Sequence, residues 1–249
     1  MVPQPASRDA QLARASRGGL KVLLNSKFIW RRAHTFRVLL AVACVTYVVL
    51  SASAQDAAAN IDLGKNEIGT PPSEFDPTQG LWTVVSDATA KTGVAIEQGG
   101  VQTTEDRFPL AIHKTASLKN AEISLRLKAA GGKSDQGGGV AVRLRTPENY
   151  YLVQLDALRD RVLFSLVSNG ASEEIVGVDA DIASHSWHTL TVRANDDEFV
   201  VSLDGSWVFT GFDKTLSQPG RIALWTKGDS ITRFDSIAIT PLPAVEERY

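Results

Sequence analysis

Residues 198–209 read Glu198-Phe-Val-Val-Ser-Leu-Asp-Gly-Ser-Trp-Val-Phe209, and this stretch predicts two β-strands joined by a turn. Apolar and polar side chains alternate on both sides of Asp204-Gly205, which is the pattern of half-buried β-strands. Asp-Gly between two such runs predicts a tight hairpin, because both residues tolerate a positive φ. Asn169-Gly170 predicts a second hairpin between 163–168 and 173–178.

The same alternation recurs through the second half of the chain, and no stretch has the period of a long amphipathic helix. The further predicted strands are 122–128, 140–145, 151–156, 161–167 and 187–193. Many short strands separated by turns predict an all-β fold, a two-sheet antiparallel jelly-roll sandwich. We expect this domain to span 80–241, after a Pro-rich linker at 55–79 and before a C-terminal tail at 242–249.

Residues 1–54 have the three parts of a secretory signal peptide. A basic region is followed by the apolar run Val38 to Leu50 and by Ser-Ala-Ser-Ala54, a small-residue cleavage site. The alternative is an uncleaved membrane anchor at 38–54, which is near the lower length limit for a spanning helix. Either interpretation predicts a secreted, periplasmic or membrane-anchored protein whose residues 55–249 lie outside the cytoplasm.

The charge is distributed unevenly along the chain. Residues 1–54 carry eight basic and one acidic side chain, which leaves 18 basic and 27 acidic side chains in 55–249, a net charge of −9. This acidic part argues against nucleic acid as a partner, because nucleic-acid binding requires a positive field. The only cysteine, Cys44, lies in the leader, so the exported part must be stabilised by its core rather than by disulfides.

Several motifs resemble those of one superfamily when they are taken together. They are Gly-Gly-Gly-Val-Ala-Val-Arg at 137–143, Pro-Glu-Asn-Tyr-Tyr at 147–151, Ser-Trp-His-Thr-Leu at 186–190, Val-Ser-Leu-Asp-Gly at 201–205, and Leu-Trp-Thr-Lys-Gly-Asp-Ser at 224–230 followed by Phe234-Asp235. The chain resembles the concanavalin A-like lectin/glucanase superfamily, and within it the laminin G-like domains known as 3-keto-disaccharide hydrolase domains. The resemblance implies a jelly roll whose concave sheet forms a groove for sugars.

The sequence lacks the motifs of the common hydrolases. Jelly-roll glucanases use Glu-x-Asp-x-x-Glu on one strand to supply paired carboxylates, and only the fragment Glu74-Phe-Asp76 occurs here. There is no Gly-x-Ser-x-Gly elbow and no cysteine nucleophile. His185 and His188 are three residues apart, a spacing that does not place two ligands on one face of a strand.

Strand parity instead predicts a polar and aromatic face. If Val142, Val153 and Leu224 point into the core, then Arg143, Gln154 and Trp225 point away from it, with Tyr150 alongside and Lys227 just beyond. An aromatic ring stacks on the C–H face of a pyranose, and planar polar groups hydrogen-bond its hydroxyls. The candidate ligand-binding residues are therefore Arg143, Tyr150, Gln154, Trp225 and Lys227. The alternatives are a Trp225 packed under a loop and an Arg143 paired with a carboxylate.

Asp229 and Asp235 are the remaining candidates for chemistry. Oxygen-rich loops bind Ca²⁺ in the superfamily, so either residue could ligate calcium. The resemblance also implies cleavage of a 3-keto-glycoside, in which Asp229 or Asp235 would act as base and Arg143 or Lys227 would stabilise an oxyanion. We therefore expect an exported carbohydrate-binding sandwich, with a 3-keto-glycoside hydrolase or lyase and a non-catalytic adhesion module as alternatives.

Overall fold

The computed structural model of the protein describes residues 58–99 and 108–243. Both predicted Asx-Gly turns are present. Asp204 and Gly205 have φ values of 51° and 81°, and Asn169 and Gly170 have φ values of 51° and 79°. A positive φ at both central residues gives the backbone twist that closes a two-residue hairpin, so the two hairpin predictions are confirmed.

The described residues form strands and one short 3₁₀ helix, Leu63–Lys65. In chain order the strands are β1 Ala59–Asn60, β2 Phe75–Gln79, β3 Leu81–Ser86, β4 Val94–Gly99, β5 Leu110–Leu118, β6 Ala121–Gly131, β7 Gly137–Thr146, β8 Asn149–Asp156, β9 Arg161–Ser168, β10 Ala171–Asp179, β11 His188–Asn195, β12 Glu198–Leu203, β13 Ser206–Phe212, β14 Gly220–Thr226 and β15 Ile231–Pro241.

Two antiparallel sheets result. The eight-stranded sheet has the order β13-β12-β11-β6-β15-β4-β3, with β1 added to β15, and the seven-stranded sheet has the order β10-β9-β8-β7-β14-β5-β2. Neighbouring strands are often far apart in the chain, as with β6 and β15. The fold is thus the predicted all-β, two-sheet jelly-roll sandwich.

The seven-stranded sheet is apolar on both faces. Tyr151 and Val153 of β8 belong to the main core between the sheets, as does Leu224 of β14. The alternate residues Tyr150 and Trp225 belong to a second, smaller cluster. Because successive side chains of a strand point to opposite faces, this second cluster lies on the outer face of the seven-stranded sheet.

The prediction of a linker at 55–79 is wrong from residue 58 onward. Strand β2 pairs with β5, and the side chains of Leu63 and Phe75 are buried in the main core. The segment shows no period because its apolar residues are isolated, and their partners lie on strands distant in sequence. The predicted signal peptide and anchor lie outside the described residues, as does most of the predicted tail. Within 58–99 and 108–243, no helix has the length and apolar character needed to cross a bilayer.

Candidate functional site

A groove with a volume of about 200 Å³ lies on the outer face of the seven-stranded sheet. Four of the five predicted ligand-binding residues line it, namely Tyr150, Gln154, Trp225 and Lys227. Strand parity places the first three, since Tyr150 and Gln154 alternate with core residues of β8 and Trp225 alternates with core residues of β14. Lys227 follows the end of β14 and reaches the rim of the groove.

A glycine separates the aromatic and amide groups of this groove. Gly139 of β7 is the register partner of Trp225 on one side and of Gln154 on the other. A Cβ at Gly139 would lie 2.1 Å from the carbonyl oxygen of Val153, so the close approach of β7 and β8 requires glycine here.

Trp225 forms a wall of the groove rather than an open platform. Its side chain is only 2% exposed, and the ring of Phe108 stacks on it with centroids 5.6 Å apart and an interplanar angle of 22°. Its Nε1 donates a hydrogen bond of 3.2 Å to the Tyr150 hydroxyl. Trp225 points away from the core, as predicted. Its indole is nevertheless buried beneath Phe108, which agrees with the alternative prediction that Trp225 packs under a loop.

Burial also determines the protonation state of the Tyr150 hydroxyl. Desolvation raises the pKa of Tyr150 to about 12, although the hydrogen bond from Trp225 opposes the shift. The hydroxyl is therefore protonated at neutral pH. Since it accepts a hydrogen bond from Trp225, its own proton remains to be donated to another acceptor.

The rim of the groove is organised by a loop at 132–136. The Lys227 Nζ lies 3.1 Å from Asp135 Oδ1, and both residues line a smaller hollow together with Gln154 and Trp225. The Asp229 carboxylate accepts hydrogen bonds of 2.8–3.2 Å from the backbone N–H groups of Lys133, Ser134 and Asp135. Asp229 therefore holds the loop that positions Asp135 beside Lys227.

These contacts leave Asp229 ill suited to its predicted roles. The hydrogen bonds from the Lys133, Asp135 and Ser134 amides lower the pKa of Asp229, although its partial burial opposes the shift. A lower pKa makes the carboxylate a weaker base. Both of its oxygens already face N–H donors, which repel a cation, so Asp229 does not fit a calcium site.

The prediction that Arg143 faces the groove is wrong. Arg143 is 1% exposed and lies on the core side, with its guanidinium carbon 5.0 Å from the Phe199 ring centroid. The register of β7 against β8 shifts between Val142 and Thr146, and Arg143 has a φ of 51°. This bulge reverses the alternation, so that Leu144 instead joins the outer cluster.

Asp235, the other candidate base and calcium ligand, does not lie beside the groove. Asp235 lies on β15 of the eight-stranded sheet, where its Oδ2 accepts hydrogen bonds from Arg126 Nη1 at 3.0 Å and from the Lys91 amide at 2.9 Å. Its Oδ1 is buried without a partner among the described residues. No group of three or more His, Cys, Asp or Glu side chains in the part of the chain described here could hold a metal ion, so the residues near Asp235 do not fit calcium either.

We expect Asp229→Asn to lower the free energy of unfolding by about 2 kcal/mol, because an amide accepts fewer of the three backbone hydrogen bonds and loses their charge assistance. Urea unfolding monitored by tryptophan fluorescence measures this change. Asp181→Asn is the matched control, since Asp181 is exposed and its side chain makes no hydrogen bond to a described residue. Equal midpoints for the two variants would show that Asp229 does not hold the loop.

Four residues that line the groove were not predicted from the sequence, namely Leu152, Val167, Ser172 and Phe108. Leu152 shares the face of Tyr150 and Gln154, so strand parity alone could have found it. Val167 and Ser172 belong to the neighbouring strands β9 and β10 and required the register of the sheet. Phe108 follows a stretch without strand pattern, and no signal in the sequence pairs it with Trp225.

The comparisons with known proteins support the fold. The chain is similar to the carbohydrate-binding module CBM66 from Bacillus subtilis, with a TM-score of 0.56, 21% identity and coverage of 67% of this chain and 95% of that one. It is also similar to the beta-glucanase of Bacillus licheniformis, with a TM-score of 0.51, 10% identity and coverage of 77% and 100%.

A third solved structure of this kind is a prokaryotic beta-1,3-1,4-glucanase (lichenase) derived from a mouse hindgut metagenome. It has a TM-score of 0.51, 14% identity and coverage of 74% of this chain and 99% of that one. No family model matches the chain, and no curated protein matches it. At these identities the likeness shows the jelly-roll sandwich fold.

Proposed function

We propose that the protein binds carbohydrate in the groove on the outer face of the seven-stranded sheet. The observation that carries this proposal is the Gln154 side chain. It lines the groove and makes no hydrogen bond to any described residue, while aromatic side chains stand beside it. A free planar amide next to aromatic rings is the combination that recognises a sugar ring with its hydroxyl groups.

The other residues of the groove lining provide apolar surface on one hand and polar groups on the other. Phe108 is half-buried and provides apolar surface for the C–H face of a sugar, whereas Leu152 and Val167 of the lining are buried. The Lys227 ammonium provides a further donor, and Asp135 beside it provides an acceptor. In this arrangement Trp225 supports Phe108 and Tyr150 from behind. The carbohydrate-binding module and the glucanases that share the fold support the same class of ligand.

A glycan-binding screen of the full chain, run with calcium and again with EDTA, tests the proposal. The panel includes neutral oligosaccharides and oxidised 3-keto-disaccharides. We expect binding that is unaffected by EDTA and that Gln154→Ala weakens about tenfold, the equivalent of one hydrogen bond of about 1.4 kcal/mol.

Gln218→Ala is the matched control, because Gln218 is exposed and does not line the groove. Loss of binding in both variants, or in neither, would place the sugar elsewhere on the protein. Binding to no member of the panel would contradict the proposed function.

Cleavage of a 3-keto-glycoside is the catalytic alternative on the same groove. Of the groups assigned to it, only Lys227 lines the groove, whereas Arg143 and Asp235 lie elsewhere and Asp229 is engaged by backbone amides. We therefore propose binding without turnover. Conversion of a keto-disaccharide in the screen would overturn this assignment, and Lys227→Ala would then test the oxyanion role.

Two exposed aromatic residues of one strand favour a second candidate function, protein adhesion. Trp207 and Phe212 of β13 are 67% and 62% exposed, and β13 is an edge of the eight-stranded sheet. Exposed aromatic side chains on an unpaired edge favour contact with another protein. A silent glycan panel combined with self-association or partner capture that Trp207→Ser abolishes would favour this candidate.

We also propose that the sandwich works outside the cytoplasm, as the signal-like residues 1–54 predict. Cell fractionation of a host that expresses the full chain tests this. Recovery of the protein from the periplasm or medium, with its N-terminus at Gln55, is the expected result. Recovery from the cytosol at full length would contradict export.

A further inference from the structure

A second depression, with a volume of about 220 Å³, lies apart from the groove. Its lining comes from the first described segment of the chain and from β5, and consists of Ala59, Asn60, Ile61, Asp62, Lys65, Glu74, His113 and Thr115. Ile112 belongs to the outer apolar cluster, so the next residue, His113, points to the opposite face of the seven-stranded sheet. The depression therefore shares no residue with the groove.

His113 is the buried polar group of this depression. Its side chain is 3% exposed, and its Nδ1 accepts hydrogen bonds from the backbone N–H groups of Ala116 at 3.0 Å and Thr115 at 3.4 Å. Because Nδ1 acts as an acceptor, the ring proton resides on Nε2. Nε2 has no hydrogen-bond acceptor among the described residues, so it is a donor without a partner beside the depression.

Burial, rather than the neighbouring charges, keeps the His113 ring neutral. Burial lowers the pKa of His113, and Arg221 lowers it further, whereas Glu74 opposes both effects. The Arg221 Nη2 is held at the His113 carbonyl oxygen at 2.8 Å. Across the depression, Lys65 and Asp62 form an ion pair of 3.4 Å and largely cancel each other. Glu74 is thus the one unpaired charge among the lining residues.

The lining selects one class of ligand by its chemistry. The floor offers the Nε2–H donor of His113 and the apolar side chain of Ile61, while Asn60, Glu74 and Thr115 offer acceptors and donors at the rim. The net negative charge disfavours an anion. The volume of about 220 Å³ is sufficient for one small polar ring.

We propose that this depression is a second ligand site that takes a neutral polyol the size of a single sugar ring. A hydroxyl oxygen of the ligand accepts the Nε2–H of His113, and hydroxyl groups donate to the Glu74 carboxylate. The carbon skeleton lies against Ile61. This site does not depend on the proposed function of the groove.

The imidazole nitrogen resonances of the ¹⁵N-labelled full chain test the proposal directly. The sequence has four histidines, and His113→Gln identifies the His113 signal. During titration with myo-inositol and with D-glucose we expect a saturating shift of the His113 Nε2 signal, with a Kd of about 1 mM. Glu74→Gln is expected to weaken this binding about tenfold, since a hydrogen bond to a charged acceptor is lost.

Glu67→Gln is the matched control, because Glu67 is exposed, lies outside the depression and changes the net charge equally. An unchanged His113 signal with both polyols would overturn the proposal, as would equal affinities for the Glu74 and Glu67 variants. A shift with choline or acetate in place of the polyols would also overturn it, since the ligand class would then be ionic. Gln154→Ala is expected to leave the His113 shift intact, which separates this site from the groove.

Discussion

Arg143→Ala is expected to lower the free energy of unfolding by about 4 kcal/mol or more. The guanidinium donates to three backbone carbonyl groups, those of Lys119, Leu216 and Asp196. Each hydrogen bond to a charged group contributes about 1.5–3 kcal/mol, and the truncation leaves three partly buried carbonyl groups without this donor. Since a domain of this kind is stable by only about 5–15 kcal/mol, the variant approaches the limit of folding.

Arg145→Ala is the matched control for this effect. Arg145 lies two residues away on the same strand and donates one hydrogen bond of 3.1 Å, to the Pro219 carbonyl oxygen, from an exposed position. We expect its removal to cost less than about 1.5 kcal/mol. Urea unfolding of both variants measures the difference, and similar midpoints would show that the three carbonyl contacts of Arg143 add little to stability.

Arg143→Lys separates geometry from charge. A lysine keeps the positive charge but carries a single ammonium group, which cannot reach three carbonyl groups in different directions. We therefore expect Arg143→Lys to be nearly as unstable as Arg143→Ala. A fully stable lysine variant would mean that charge alone, attracted by Asp196 and Asp197, accounts for the contribution of Arg143.

Asp87→Ala is the second substitution with a large expected effect. Asp87 is 6% exposed, and its Oδ2 contacts Lys128 Nζ and, at 3.0 Å, Arg233 Nη1. Lys128 is itself buried, so removal of the carboxylate leaves it without its strongest partner. Breaking a buried pair from one side costs about 3–5 kcal/mol, because the remaining charge is uncompensated.

Asp76→Ala is the appropriate comparison. The Asp76 carboxylate also approaches two cations, Lys114 at 3.8 Å and Arg221 at 3.9 Å, but it is 58% exposed. Exposed ion pairs contribute about 0–1 kcal/mol. A difference of less than about 1 kcal/mol between the two variants in urea unfolding would show that burial does not strengthen the Asp87 pair.

The contribution of Asp87 to the free energy of unfolding is expected to decrease at acid pH. Burial alone would raise the pKa of Asp87, but hydrogen bonds from Lys128, Thr89 and Arg233 prevail and hold it well below the ordinary value of 3.8. A carboxyl group with a lowered pKa in the folded state stabilises the protein above its unfolded pKa, and this contribution is lost as the pH falls further. We therefore expect the difference between wild type and Asp87→Asn to shrink below pH 3.8.

Arg143→Ala and Asp87→Ala are expected to change the stability of the fold without changing the groove. Neither Arg143 nor Asp87 lines the groove, so folded protein that survives either change should bind glycans with unaltered affinity. The sequence pattern predicted that Arg143 binds a ligand. In the structure its guanidinium instead holds three backbone carbonyl groups together.

Three features could be predicted from the sequence alone, namely the fold class, both hairpins and the outward direction of three groove residues. These features depend on local rules. Asx-Gly turns require a positive φ that few residues tolerate, and the strict alternation of a strand assigns Tyr150, Gln154 and Trp225 to one face once their neighbours are buried.

Three other features depend on contacts that the sequence does not reveal, namely the position of Arg143, the burial of Trp225 and the inclusion of 58–79 in the sandwich. The alternation around Arg143 is unbroken in the sequence, and the bulge that reverses it arises from pairing with β8 and β14. Phe108 covers Trp225, and β2 joins β5, through contacts between residues far apart in the chain. Such long-range contacts leave no periodic signal, because each depends on the register and twist of strands that the local sequence does not specify.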